Sequence, residues 1–185
     1  MADGAPPPRG PEPSPGPISA PGVRIARRPG PRLRRIAFWP DRFARAAAAL
    51  CAELRVAMPA PGRLVSAPGA RLQLARLAPT TLWLFDGPDG DAAPFVAPED
   101  GALSEIGPGL ATLRLDGPRA ADLLARAVPL DLRPAAFPAD AIAAAGWRHA
   151  QVALRRAPDG FDLLVPLSFA DDLEEVLRRH ARQFA

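Results

Sequence analysis

The sequence predicts an α+β fold: split β-α-β units gathered around antiparallel sheet. Two kinds of observation predict it. The stretches LATLRLDGPRAADLLARA, from Leu110, and FDLLVPLSFADDLEEVLRRHARQFA, from Phe161, each run from an apolar-patterned strand through a sharp stop into a helix with an apolar stripe. Two further pairs of strand-like runs flank turn residues. RLQLARL and TTLWLFD are separated by Ala78-Pro79, and WRHAQVALRR and FDLLVPL by Pro158-Asp159-Gly160.

The chain has 185 residues, enough for one domain with a real core. It carries 25 prolines, and every basic residue other than histidine is arginine, a bias that fits GC-rich coding better than a functional choice. The formal charge of +3 is unevenly divided. Residues 1–45 hold nine arginines against Asp3, Glu12 and Asp41, a surplus of six, and the remainder holds fourteen arginines against seventeen acids. A groove for nucleic acid needs clustered cations on a folded face, so the mildly acidic remainder speaks against a nucleic-acid partner. One cysteine, Cys51, rules out an internal disulfide and fits a reducing, cytoplasmic setting. No run approaches the roughly 18–20 apolar residues of a membrane helix, and no secretory signal is expected.

In chain order, residues 1–31 contain ten prolines among glycine, serine and alanine and are expected to form a disordered, polyproline-like tail, with the folded domain at 32–185. LRRIAF, from Leu33, is the first expected strand and stops at Trp39-Pro40. Asp41 is the expected N-cap of a helix to about Arg55, with Phe43, Ala47, Leu50, Cys51 and Leu54 on one stripe. Cys51 on that stripe reads as a buried, inert thiol, and Trp83 as core. Asp86, Asp89 and Asp91 faintly resemble a calcium loop but lack the alternate oxygen ligands and closing glutamate, so a solvated turn is expected.

Gly107-Pro108-Gly109 leads into a strand, not a helix N-terminus, and so reads as a turn and not as a phosphate cradle. Pro118 is expected at the first position of a helix whose buried face is Ala120, Leu123, Leu124 and Ala127, closed by Pro129. PLDLRPAAFPAD then reads as extended and too apolar for an exposed loop. Its Leu130, Leu132 and Phe137 must be covered by this domain or by a partner. Ser168, with Asp171 three residues on, is the expected cap of the last helix. That helix carries Phe169, Leu173, Val176, Leu177, His180 and Phe184 on its stripe. His149 and His180 read as surface and packing residues.

No H-E-x-x-H, paired C-x-x-C, G-x-S-x-G, Walker or dinucleotide-binding pattern occurs. No catalytic, cofactor-binding or metal-ligating residue is nominated. A domain of this size without such a signature reads as a subunit whose partner holds the chemistry.

Some of these stretches resemble a known family. GPRAADLLARAVPLDLRPAAFPAD, FDLLVPLSFADDLEEVL and RLAPTTLWLFDG are similar to the gamma subunit of heterotetrameric sarcosine oxidase, over roughly residues 33–185. The sequence departs from the family at Leu167, where many members carry a basic residue. The resemblance implies a fold similar to part of the folate-binding domain of aminomethyltransferases. It further implies a non-catalytic subunit of a flavoenzyme that demethylates sarcosine to glycine, yielding hydrogen peroxide and, with tetrahydrofolate, methylenetetrahydrofolate. FAD, FMN, NAD and tetrahydrofolate are implied in the alpha and beta subunits and zinc in delta, with none held by this chain. Leu130, Leu132 and Phe137 are then the candidate partner interface. The alternative is a stand-alone aminomethyltransferase-like folate-binding protein.

Overall fold

The computed structural model describes residues 18–70, 72–86 and 96–184. Two antiparallel sheets lie face to face with helices on their outer sides. The six-stranded sheet is made of β1 (Ile18–Ala20), β2 (Val23–Pro29), β8 (Leu110–Asp116), β9 (Ile142–Trp147), β10 (Ala150–Ala157) and β11 (Gly160–Pro166), in the order β1-β2-β8-β11-β10-β9. The five-stranded sheet contains β3 (Leu33–Phe38), β4 (Leu64–Ser66), β5 (Leu72–Ala78), β6 (Thr81–Asp86) and β7 (Gly101–Glu105), in the order β4-β5-β6-β3-β7. The helices are α1 (Phe43–Leu54), α2 (Ala120–Leu124) and α3 (Ala170–Arg182).

Strand alternation sorts the apolar side chains into three layers. Ile36, Phe38, Leu74, Leu82 and Leu84 meet Ala47, Leu50 and Cys51 of α1. The opposite face of that sheet supplies Leu33, Leu64, Ala75 and Phe85, which meet Ile142, Ala153 and Leu164 of the six-stranded sheet. The outer face of the six-stranded sheet, with Leu113, Leu115, Leu154, Phe161, Leu163 and Val165, packs on Leu123 and Leu124 of α2 and Leu173 and Leu177 of α3. The α+β class with antiparallel sheet is therefore as expected, and both expected hairpins form, β5 with β6 and β10 with β11.

Order begins earlier than the proline content indicates. The expected tail boundary at residue 31 is corrected: residues 18–29 form β1 and β2, and β2 pairs with β8 along its length, Ile25 opposite Leu115 and Arg27 opposite Leu113. Val23 and Ile25 are buried in the core beneath α3. The prolines of this segment fall where a sheet tolerates them, Pro21 in the β1–β2 turn and Pro29 at the end of β2. Gly22 takes a φ of 78°, which suits glycine in that turn. The rest of the expected tail, residues 1–17, lies outside the described residues, as do Asp89 and Asp91.

Local starts and stops differ in detail. Asp41 does not cap α1, which begins at Phe43 after Arg42 with no side-chain cap; Asp41 pairs with the Arg42 guanidinium at 3.2 Å instead. Pro118 and Ser168 likewise precede their helices, α2 starting at Ala120 and α3 at Ala170 behind a 3-10 turn over Leu167–Phe169. The expected strand at 147–156 is two strands: Arg148 adopts a φ of 54° and, with His149, turns β9 back onto β10.

Leu164 fills the layer between the sheets at 1% exposure. Truncating it leaves a cavity that neither sheet can close, so Leu164→Ala is expected to lower the unfolding free energy by about 2–5 kcal/mol in a urea titration.

Candidate functional site

The polar counterpart of that inter-sheet layer is a row of charges across three strands. Asp162 of β11 stands opposite Arg155 of β10 on one side and Arg114 of β8 on the other. At 7% exposure it is one of the few buried acids. Its Oδ2 accepts from Arg155 Nε at 3.0 Å and Nη2 at 2.9 Å, and its Oδ1 accepts from Arg114 Nη1 at 3.3 Å. Arg114 Nε also donates to Asp116. Burial works against the charge on Arg114, but its bonds to Asp116 and Asp162 outweigh that effect and raise its pKa. Arg155 reaches across to the other sheet, where Nη1 donates to Gln73 Oε1 at 3.2 Å, and Gln73 Nε2 donates to Ser66 Oγ at 3.2 Å.

Asp162, Arg155, Arg114, Gln73 and Ser66 line a cleft of about 370 Å³, with Asp140 and Arg156 on its wall. The guanidinium groups there are already bonded to carboxylates, an amide and backbone carbonyls. The arrangement is a satisfied ion network that can offer its remaining N–H groups to a polar ligand; it does not pair a nucleophile with a base. Nothing in the local spacing of Arg114 and Asp116 announces their partner Asp162, which is 48 residues from Arg114 in the chain. The signal that reveals the network is Asp162, a lone acid in an apolar strand buried on both faces.

The candidate interface residues are placed differently from expectation. Leu132 is 6% exposed and Phe137 5%, and both belong to the core beneath α2, with Leu130 packed against it. The domain itself covers Leu132 and Phe137, which leaves only the half-buried Leu130 of the three partly exposed. Arg156 holds the segment in place. Its Nε donates to the Phe137 carbonyl at 2.6 Å and its Nη2 to the Leu132 carbonyl at 2.8 Å. Its guanidinium lies 4.7 Å from the Phe161 ring centre, and the Phe137 ring tilts against Phe161 at 6.3 Å. An irregular segment with too few backbone partners of its own is thereby tied to the sheet.

Cys51 is buried, and burial pushes its thiol pKa up. His149 is exposed in the β9–β10 turn. His180 is half-buried on α3, its Nδ1 lacking a partner. Asp86 pairs with Arg34 at 3.2 Å, while burial pushes its carboxyl up against the pull of Arg34 and Arg32. Among the described residues, no three of His, Cys, Asp and Glu are grouped to hold a metal ion, and no helix is long and apolar enough to cross a membrane.

The whole architecture superposes with a TM-score of 0.70 on a chain of the heterotetrameric sarcosine oxidase from Corynebacterium sp. U-96, solved in complex with pyrrole 2-carboxylate. This is the fold of a sarcosine oxidase chain. Sequence identity is 20%, and the likeness covers 88% of this chain and 85% of that one. No family model matches the sequence, and no curated protein does.

Two outcomes follow from the packing. Arg156→Ala, which removes two charge-assisted bonds and a stacked cation, is expected to cost about 2–4 kcal/mol in a denaturant melt and to speed amide exchange across residues 130–138. Cys51 is expected to react with a thiol reagent only after denaturant unfolds the chain, with negligible modification of the native protein.

Proposed function

We propose that this chain is the gamma-type, non-catalytic subunit of a heterotetrameric sarcosine oxidase-like flavoenzyme that converts sarcosine to glycine in the cytoplasm. In this reading the alpha, beta and delta subunits are its partners. They hold FAD, FMN, NAD and the tetrahydrofolate site, and this chain contributes assembly. The supporting observation is that the structural likeness runs over nearly all of both chains. The two coverages are almost equal, so the matching chain is about as long as this one. The correspondence is with a small chain and not with one domain of a much larger one.

A second reading, a stand-alone folate-binding protein, draws on the cleft of about 370 Å³ beside Arg155 and Asp162. The two are separated by direct measurement. Co-expressed with a candidate alpha subunit, the full chain is expected to co-elute with it, and the isolated chain to be colourless. A flavin spectrum in the isolated chain, or elution apart from the alpha subunit, defeats the subunit reading. Calorimetry of the isolated chain with tetrahydrofolate is expected to show no micromolar binding; a fitted binding free energy of about −8 kcal/mol favours the second reading instead.

A further inference from the structure

The cleft beside Asp162 leaves one kind of hydrogen-bonding group open, and Gln73 decides which. A guanidinium can only donate, so the Gln73 amide oxygen must face Arg155, and its nitrogen is thereby turned to Ser66 Oγ. Ser66 Oγ accepts from that nitrogen, and no described residue accepts the Ser66 O–H in turn. Asp162 takes bonds at both oxygens, from Arg155 and Arg114. The Pro158 carbonyl accepts from Arg114 Nη2 at 3.4 Å. These bonds engage the side-chain acceptors at the base of the cleft, while each guanidinium has more N–H groups than the bonds use. What the base still offers is donors.

Charge points the same way. Arg114, Arg155 and Arg156 line the cleft against Asp140 and Asp162. Two charged neighbours lie outside the lining, Arg63, paired with the half-exposed Asp140 at 3.3 Å, and Asp116, bonded to Arg114. With both counted, four arginines meet three aspartates, and a positive surplus of one remains. The rest of the wall is largely apolar, from Leu64, Ala139, Ala157 and Pro158. The volume of about 370 Å³ falls within the range of small-molecule sites, roughly 300–1,000 Å³.

We infer that this cleft binds a small organic carboxylate. The carboxylate accepts from Arg155, Arg114 and the Ser66 hydroxyl, and Gln73, bonded to both Arg155 and Ser66, holds those two donors at one end of the cleft. The apolar body of the ligand lies against Leu64 and Pro158. An inorganic anion would leave that wall unmatched. A neutral amide would bring N–H donors to a base whose side-chain acceptors are already engaged. The inference stands apart from the subunit reading, because it rests on the cleft alone.

The test titrates the full chain with benzoate at constant ionic strength, followed by broadening of the benzoate proton resonances. Saturable binding with a Kd of about 1 mM is expected, with benzamide and inorganic phosphate at least about tenfold weaker. Gln73→Glu places a carboxylate against the same donors in advance. It keeps an acceptor for Arg155, so its thermal melt should match the parent, and it is expected to weaken benzoate binding by about tenfold or more. Ser66→Ala, at an exposed position on the edge strand β4, is expected to weaken it about threefold. No saturation by about 10 mM benzoate overturns the proposal. So does benzamide binding as tightly, which makes the cleft an apolar crevice only, or phosphate binding as tightly, which makes it a bare cationic patch. Unaltered affinity in the variants overturns it too, and Ser66→Ala decides alone if Gln73→Glu fails to fold. Co-elution with the alpha subunit bears on the subunit reading and benzoate binding on the cleft, so the two can fail separately.

Discussion

Strand β11 is buried on both faces, and the rest of the structure depends on satisfying that. Phe161, Leu163 and Val165 point to the helices, while Asp162 and Leu164 point to the second sheet. An isolated carboxylate there costs several kcal/mol of desolvation, so it is tolerable only with partners held in place. The register supplies them, since Arg155 and Arg114 stand directly opposite Asp162 on the neighbouring strands. A slip by one residue on either side would turn an arginine into the helix-packed core and leave Asp162 unpaired. The charge row therefore fixes the pairing of three strands more sharply than the apolar residues alone, which any in-phase register would bury.

The neighbouring arginine does the complementary task on the opposite face. Arg155 and Arg156 are consecutive, so strand alternation sends one toward the other sheet and one toward the helices. Arg156 meets Phe161 and the carbonyls of Leu132 and Phe137. One dipeptide thus ties the two sheets together through Gln73 and secures the long irregular connection between α2 and β9.

What could be read from the sequence was periodicity. The stripes of α1 and α3 announce themselves by spacing, because each helix has one wet face and one dry face, and the β5–β6 and β10–β11 hairpins by apolar runs on either side of turn residues. Other features did not. β2 was hidden because ten prolines in 31 residues outweigh a three-residue V-R-I alternation, although the sheet accepts prolines at the turn and strand end where they fall. The strand at 147–156 was read through its turn because Arg148 and His149 carry no turn chemistry of their own; tertiary pairing imposes the positive φ on Arg148. The cleft was invisible because its members come from β4, β5, β8, β10 and β11, and only topology brings Ser66 near Asp162.

The same limit applies to the cover of residues 130–138. Apolar residues in an irregular segment need cover, but sequence does not say whose. Leu130, Leu132 and Phe137 receive it from α2, β11 and Arg156 of their own domain. Leu167 and Phe169 interrupt a helical approach whose later residues are buried, and α3 starts too late to take them inside. Their exposure follows from a local geometric fact. The strand ends at Pro166, which fixes the chain's exit, and the 3-10 turn then holds both side chains outside before Ala170 enters the core. The fold itself therefore enforces the exposure of both apolar groups.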